Sequence, residues 1–366
     1  MKFLIKSESE YKNSTSILRK IGCRLPFKNI EIQNSGEISV CCHAWLSEYT
    51  GNILTDSPEE ILNNTKRLDI LTSMENGEFT YCNDACPYLN SYLTNGVIDK
   101  PHALTPIEML RANVAKDRYV INFSYDRSCN LQCPSCRKGL IFLSPDKTED
   151  PNVIRLLHIH NNVKKLVDYL IDSGEQIQLS ITGSGDPFAS DIYWGYLKEL
   201  AQRSLPDTFR IKLMTNGILM TDQYWKEIEP LWKHIQFVGV SIDAATEDTY
   251  KKIRKNGNFT KLKANLKYFN LLVATKRFPN LSGWHTHFVL QKDNYKEILD
   301  YAKWQLSYVT LGTIYFGLII HWDHLSAEEY ADMTDIDVDL LSNLLSDPIF
   351  SNPRITLGNV NAFKNT

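Results

Sequence analysis

Tyr119-Val-Ile-Asn-Phe-Ser-Tyr-Asp-Arg-Ser-Cys129-Asn-Leu-Gln-Cys133-Pro-Ser-Cys136 carries an apolar, strand-like run straight into a loop with three cysteines. Thiolates at that spacing can hold three corners of an iron–sulfur cube. No fourth cysteine lies nearby, and the nearest histidines, His102 and His158, are more than twenty residues away. A structural zinc site closes its shell with four protein ligands, as do most ferredoxin-type clusters. Three ligands leave one metal open to something that is not protein. The plainer alternative is a strand-to-helix turn with no metal.

Beyond the loop, apolar runs alternate with amphipathic ones. Strands are expected near Ile177–Thr182, Arg210–Thr215, Ile235–Ile242, His285–Gln291 and Ile314–His321. One intervening helix has Val163, Leu166, Val167, Leu170 and Ile171 on a face and closes at Gly174. Others start at Thr246, with a weak capping box, and at Asn294. Nearly continuous apolar strands between helices argue a parallel sheet covered by helices. About six such units are too few for a closed eight-stranded barrel. The expected fold class is therefore α/β, with a partial (β/α)6 TIM-like barrel over 115–325 and its active site at the C-terminal strand ends.

Residues 19–100 read differently. Phe27–Gln33 and Glu37–Cys42 flank Asn34-Ser-Gly36, a hairpin signature. Ser57-Pro-Glu-Glu60 is a helix start, with Ser at the N-cap and Pro at the first helical position. Cys82 and Cys86 follow it. This stretch reads as a small hairpin-plus-helix, cysteine-bearing domain preceding the barrel. Residues 1–18 form an N-terminal extension, and 326–366 a tail that is helical, then irregular.

The 366 residues leave room for one large domain plus a smaller one. Hydrophobic content of 43% and charged content of 23% are ordinary for a globular protein. A net charge of −3 gives no reason to expect nucleic acid or an anionic membrane as partner. The start, MKFLIKSESEY, lacks a signal-peptide core, and no run is long enough to span a membrane. A cytoplasmic location is expected, where eight cysteines are metal ligands or reactive thiols rather than disulfides. All eight fall in the first 136 residues.

The three-cysteine loop resembles the cluster motif of the radical SAM superfamily, and the likeness recurs at successive strand ends. Gly183-Ser-Gly185-Asp186-Pro187 looks like the family's Gly-Gly-Glu-Pro segment, which receives the amino group of S-adenosylmethionine (SAM). Thr215-Asn216-Gly217 ends the next strand, where the family places ribose and methionine contacts. Val240-Ser241-Ile-Asp243-Ala-Ala-Thr246, with Arg254 downstream, resembles the Ser-Ile-Asp-Gly strand and its carboxylate-binding arginine. Gln291-Lys-Asp-Asn294 resembles a further recurrent strand end. The residue types suit these roles: glycine admits close backbone approach, Asp243 can accept ribose hydroxyls, and arginine matches a carboxylate. Singly, each could be loop chemistry. Two positions depart from the pattern. Asp186 is a methylene shorter than the usual Glu, so the backbone of Gly183 or Gly185 could meet SAM's amino group instead. Ser135 stands where an aromatic residue is frequent, which removes a stacking platform for adenine.

The resemblance implies that Cys129, Cys133 and Cys136 hold a four-iron four-sulfur (4Fe–4S) cluster whose open iron chelates SAM. Reductive cleavage then releases a 5′-deoxyadenosyl radical, which takes a hydrogen atom from the substrate. The protein positions the reacting bond and excludes water and oxygen. A reducing partner such as flavodoxin or ferredoxin is implied. Cys23, Gly36 and Cys41 fit the opening of the SPASM and twitch auxiliary-cluster domains, with Cys82 and Cys86 as the other two ligands. The further cysteines of a full SPASM pattern are absent, so the single-cluster twitch version fits better. In most relatives this domain follows the barrel. A four-cysteine zinc site fits the bare spacing equally. Cys42 points away from Cys41 if both lie on a strand and reads as a small buried hydrophobe rather than a hydrogen donor.

An auxiliary cluster would accept the substrate radical's electron, making the net reaction an oxidation, such as dehydrogenation or bond formation, of a small metabolite. The alternatives are redox-neutral epimerisation, modification of a ribosomally made peptide, and a non-catalytic iron–sulfur or zinc relay or scaffold. No winged-helix leader-binding domain is seen before Cys23, and the scaffold has no use for Gly185, Thr215, Ser241 and Arg254. His321, Asp323 and Gln291, at the last strand ends, are candidate substrate contacts. His285 and His287 share a strand face that packing or metal binding would explain. Tyr125, Asp126 and Arg137 border the cluster loop, and 138–161 could form a lid.

Overall fold

A computed structural model describes residues 20–83, 86, 88–89, 103–181, 184–308, 312–321 and 325–364. Gly183 and Asp323 lie outside the described residues. The chain divides into two compact units, Met1–Tyr125 with Glu149–Ser180, and Asp126–Thr148 with Ile181–Thr366.

In the first unit, β1 (Ile21–Cys23) pairs antiparallel with β4 (Leu104–Pro106). A second sheet has the order β6-β5-β2-β3, from β2 (Asn29–Gln33), β3 (Ile38–Ser39), β5 (Tyr119–Ser124) and β6 (Ile177–Ile181, whose last residue falls outside the unit). The expected hairpin is β2-β3. Gly36 turns it at φ 90°, where a Cβ would come within 2.7 Å of Asn52 Oδ1. The strands are shorter than expected at both outer ends. Leu25–Lys28, with Pro26 in its first turn, forms a helical turn instead, and the sheet ends at Ser39. Cys41 and Cys42 therefore lie in a loop, and strand alternation does not apply to them.

β2 also runs parallel to β5, from Asn29 opposite Val120 to Gln33 opposite Ser124. Ile30, Ile32, Ile121 and Phe123 are fully buried on one face. On the other, Asn122 donates to Asn29 Oδ1 (2.7 Å) and Ser124 to Glu31 (3.0 Å). Ser57 and Glu60 form the expected capping box on α1 (Pro58–Leu62), and Asn64 caps α2 (Thr65–Glu75). Beyond α3 (Ile107–Val114), the long helix α4 (Pro151–Asp172) starts well before Val163, with Asp150 as N-cap and Pro151 in its first turn. The second half of the expected lid is thus helix, with Val153, Leu156 and Ile159 buried.

The second unit holds a parallel sheet in the order β11-β10-β9-β8-β7: β7 (Arg210–Thr215), β8 (Ile235–Ser241), β9 (Gly283–Leu290), β10 (Ile314–Leu318) and β11 (Ile355–Thr356). Its helices are α5 (Asp191–Ala201), α6 (Asp222–Glu227), α7 (Glu247–Ile253), α8 (Phe259–Ala274), α9 (Ile298–Tyr308), α10 (Ala327–Met333) and α11 (Val338–Leu345). Trp284, Thr286, Phe288 and Leu290 are fully buried on the helix side of β9. Trp284 meets Phe269 of α8 edge-on, with ring centres 5.5 Å apart, and Phe288 meets Tyr301 of α9 at 4.6 Å. His285, His287 and Val289 alternate onto the opposite face and stay half-buried. The six expected strands are β5 to β10, and the class is α/β. The stretch after Leu325 adds β11, parallel to β10, to the expected helices.

Candidate functional site

The three-cysteine loop lies in the second unit and is fastened through its backbone. Cys129 N–H donates to Ile141 O (2.9 Å), and Gln132 N–H to Lys255 O (3.0 Å). The N–H groups of Cys136 and Arg137 both turn back to Cys133 O. Each sulfur has a nitrogen donor beside it: Asn216 Nδ2 at 3.6 Å from Cys129, Arg254 Nη1 at 3.7 Å from Cys133, and Arg137 Nη2 at 3.4 Å from Cys136. Burial, then the Asp186 carboxylate, pushes the Cys129 thiol up to about 11, against the pull of Arg137. Burial also raises Cys133, and Arg254 opposes it. Both are protonated thiols at neutral pH, so a metal must displace their protons. Among the described residues, no three His, Cys, Asp or Glu side chains stand close enough to share a single ion. Two arginines and an amide beside three sulfurs suit an anionic cluster, whose charge such donors offset.

Around the loop, several expected ligand-binding residues are engaged with protein. Asp186 is buried and accepts from Thr215 Oγ1 (2.8 Å), Asn216 N (2.7 Å) and Phe188 N (3.0 Å). Burial raises its carboxyl above the usual range, and these donors partly offset the effect. Asp186 thereby ties the segment after β6 to the end of β7. Its own N–H reaches Ser128 O at 2.9 Å, and at Gly185 a Cβ would stand 2.6 Å from both Asp126 O and Ser128 O. Arg137 straps the same place, donating to Arg127 O and Ser184 O, each at 2.7 Å. Asp126 is buried and accepts from Ser190 Oγ and from Ser128 N (2.8 Å). Tyr125, in the first unit, meets His160 Nδ1 at 3.0 Å.

At the end of β8, Asp243 has φ 64°, a left-handed conformation that Asp tolerates better than most residues. One carboxylate oxygen accepts Val289 N–H (2.8 Å) and the other pairs with Arg254. Burial opposes the Arg254 charge, but Asp243, Cys133 and Tyr250 together outweigh it and keep the guanidinium cationic. Asp243, expected as a ribose acceptor, thus orients Arg254. Asn294 bonds Asp243 O, Val289 O and Gln291 N, which fixes the buried Gln291. Ser241 is half-buried on the last turn of the strand. Glu297 was not foreseen; it accepts Ala245 N–H (2.7 Å) and the Thr249 hydroxyl (2.6 Å). His321 is exposed, with Nε2 at 3.1 Å from Leu325 O and its ring on Tyr330.

In the first unit, Cys23, Cys41, Cys82 and Cys86 line one cavity with Trp45 and Phe79. Cys42 does not line it. Burial pushes the Cys23 and Cys82 thiols up to about 12, and neighbouring thiols add to this. Cys41 and Cys86 are raised too, by burial first. Four protonated thiols in an otherwise apolar cavity are costly to ionise without a cation. A metal centre that takes their protons supplies that compensation.

Among known families, residues 124–304 match the radical SAM superfamily, and residues 23–87 match SPASM, an iron–sulfur cluster-binding domain. No curated protein matches the chain. Two similar solved structures are of the radical S-adenosylmethionine methyltransferase TsrM from Kitasatospora setae. One, with cobalamin and a 4Fe–4S cluster bound, has a TM-score of 0.32 at 14% identity, over 43% of this chain and 30% of that one. The other, with tryptophan substrate and the SAM analogue aza-SAM, has a TM-score of 0.36 at 12% identity, over 54% and 35%. The chain thus spans about a third of the length of these proteins. A radical SAM domain works with a 4Fe–4S cluster and SAM, and a SPASM domain with an auxiliary iron–sulfur cluster. The chain carries a radical SAM superfamily domain over 124–304, preceded by a SPASM iron–sulfur domain over 23–87.

Proposed function

We propose that this enzyme cleaves SAM reductively and removes a hydrogen atom from a small metabolite, in a net oxidation assisted by the auxiliary cluster. The observation that carries the reading is the loop of three thiols with Asn216, Arg254 and Arg137 each against one sulfur. The bound cluster and SAM supply the 5′-deoxyadenosyl radical. In this reading Cys129, Cys133 and Cys136 hold the cluster, and Arg254, aimed by Asp243, takes the SAM carboxylate. The backbone at Gly183 and Gly185 would receive the SAM amino group. Thr215, Asn216 and Ser241 lie along its ribose and methionine, while Asp186 keeps their strand end in place. Cys23, Cys41, Cys82 and Cys86 hold the auxiliary cluster. Gln291, His321 and Asp323 would contact the substrate. Flavodoxin or ferredoxin is the electron donor in the cytoplasm. Among the described residues, no helix is long and apolar enough to cross a membrane.

Anaerobic reconstitution tests this. Wild-type protein should form 5′-deoxyadenosine from SAM only with dithionite present, and Cys129→Ala should lose that activity with its loop cluster. SAM cleavage that survives Cys129→Ala, or that never occurs in the loaded wild type, would sink the reading.

A further inference from the structure

Lys212 lies between Ile211 and Leu213 on β7, on the half-buried face of the second unit's sheet opposite the helices. A register shift puts it there. Ile211 pairs with Ile235, but Lys212 pairs with Phe237, so Gln236 is an extra residue in β8. A bulge of this kind re-aims a side chain. Without it Lys212 would sit opposite Gln236, out of step with Phe237. The ammonium instead lies over the Phe237 ring, 4.6 Å from its centre, and that ring is 4.3 Å from His285. His287 follows on the same face, opposite Ser241 on one side and Tyr315 on the other, with its ring centre 5.4 Å from that of Tyr315.

Among the described residues, no opposite charge pairs with this group's ammonium and no hydrogen-bond partner meets one of its imidazole nitrogens. Among the described residues Lys212 has no carboxylate partner, and burial alone pulls its ammonium below the ordinary lysine range. His287 Nε2 is buried without a hydrogen-bond partner. Burial, with the Lys212 charge nearby, holds both imidazoles at about 4, so they are neutral at physiological pH. A cation with no counter-charge beside neutral imidazoles and aromatic walls is an expensive arrangement. An anion placed there would complete both groups.

We propose that this face seats an oxyanion carried by the substrate, a carboxylate or a phosphate, with Lys212 as its counter-charge and His287 as its hydrogen-bond partner. Calling the occupant a substrate rests on the reaction proposed above; the oxyanion seat itself does not. His287 is level with Ser241 and two residues before Val289, whose N–H holds Asp243. The seat therefore begins beside the Arg254 end of the same sheet face.

The test uses the full-length protein, titrated separately with inorganic phosphate and with acetate at neutral pH and followed by histidine side-chain NMR and calorimetry. At least one anion should saturate a single site and move the His285 and His287 resonances. Response to phosphate alone would make the group a phosphate, and response to acetate a carboxylate. Lys212→Met should weaken the binding by about tenfold or more, the worth of one charge-assisted bond, and His287→Gln by less. Both variants should retain wild-type SAM binding. Unchanged affinity in Lys212→Met overturns the proposal. So does a wild type whose His285 and His287 signals ignore both anions, a reading that holds even if a variant fails to fold. Loss of SAM cleavage with anion binding intact would instead overturn the reaction and leave the seat.

Discussion

Asp186 serves the site by positioning its neighbours. Buried and bonded to Thr215, Asn216 and Phe188, it decides where Asn216 meets Cys129. Asp186→Ala would strand two buried N–H groups and a buried hydroxyl, at a cost of about 2–4 kcal/mol in denaturant unfolding. Asp186→Asn, which keeps one carbonyl oxygen as acceptor, should cost less; equal losses would mean that volume, not bonding, matters there. The site was legible as residue types at motif positions, because the chemistry demands thiols, glycines and an arginine. Its bonding was not. Nothing in Gly185-Asp186-Pro187 shows that the carboxylate turns inward, since its partners lie on the next strand. Lys212 is likewise visible in the sequence only as a charge between Ile211 and Leu213; the shifted register that aims it is tertiary. The two buried histidines set a pH dependence. Their folded pKa is depressed to about 4 by burial, with His285, Lys212 and Arg254 acting on His287. Between the ordinary histidine value near 6.5 and about 4, the unfolded chain binds more protons than the folded one. Their contribution to stability is thus complete above that window and is lost as pH falls through it. Thermal melts should drop more steeply across the window in wild type than in His287→Gln. Parallel curves would show that His287 titrates normally.

Single elements were legible where local chemistry encodes them. The apolar runs from β5 to β10 and the Ser57 capping box fall where composition places them, because buried parallel strands need continuous apolar residues and helix ends need acceptors. Pairing between elements distant in sequence was not legible. No local signal places β2 beside β5 or sends a strand from the C-terminal stretch to β10. The extra turns of α4 carry their own signal, since Val153, Leu156 and Ile159 continue the stripe of Val163 at helical spacing with only His160 polar among the buried positions. The segment from Ser184 to Pro187 is held by contact distance. A methyl group at Gly185 would press on two backbone carbonyls, Asp126 O and Ser128 O, the second of which already accepts the Asp186 N–H. Gly185→Ala should therefore cost about 1–3 kcal/mol and lower iron retention at the loop. Unchanged melting and iron content would show that the segment can move aside freely.

Across the whole chain, the eight cysteines divide into a three-thiol loop in one unit and a four-thiol cavity in the other, with Cys42 in neither. The thiols differ in their surroundings. Arg137 and Arg254 stand against loop sulfurs, whereas the cavity thiols are lifted by burial and by one another. Loading the cavity must therefore release protons from thiols that would not ionise alone, while the loop has cations waiting. The two centres should be separable by mutation. Fully reconstituted wild type should carry roughly eight irons, two four-iron clusters. Cys41→Ser combined with Cys82→Ser should leave about four and still release 5′-deoxyadenosine in dithionite, because the loop is intact. Cys133→Ser should keep the cavity cluster and lose SAM cleavage. If oxidation of the substrate needs the auxiliary centre, the double variant will consume SAM without product. A double variant that kept its full iron would show that other ligands hold the second cluster, and zinc in the cavity of protein purified without oxygen would replace the redox role with a structural one.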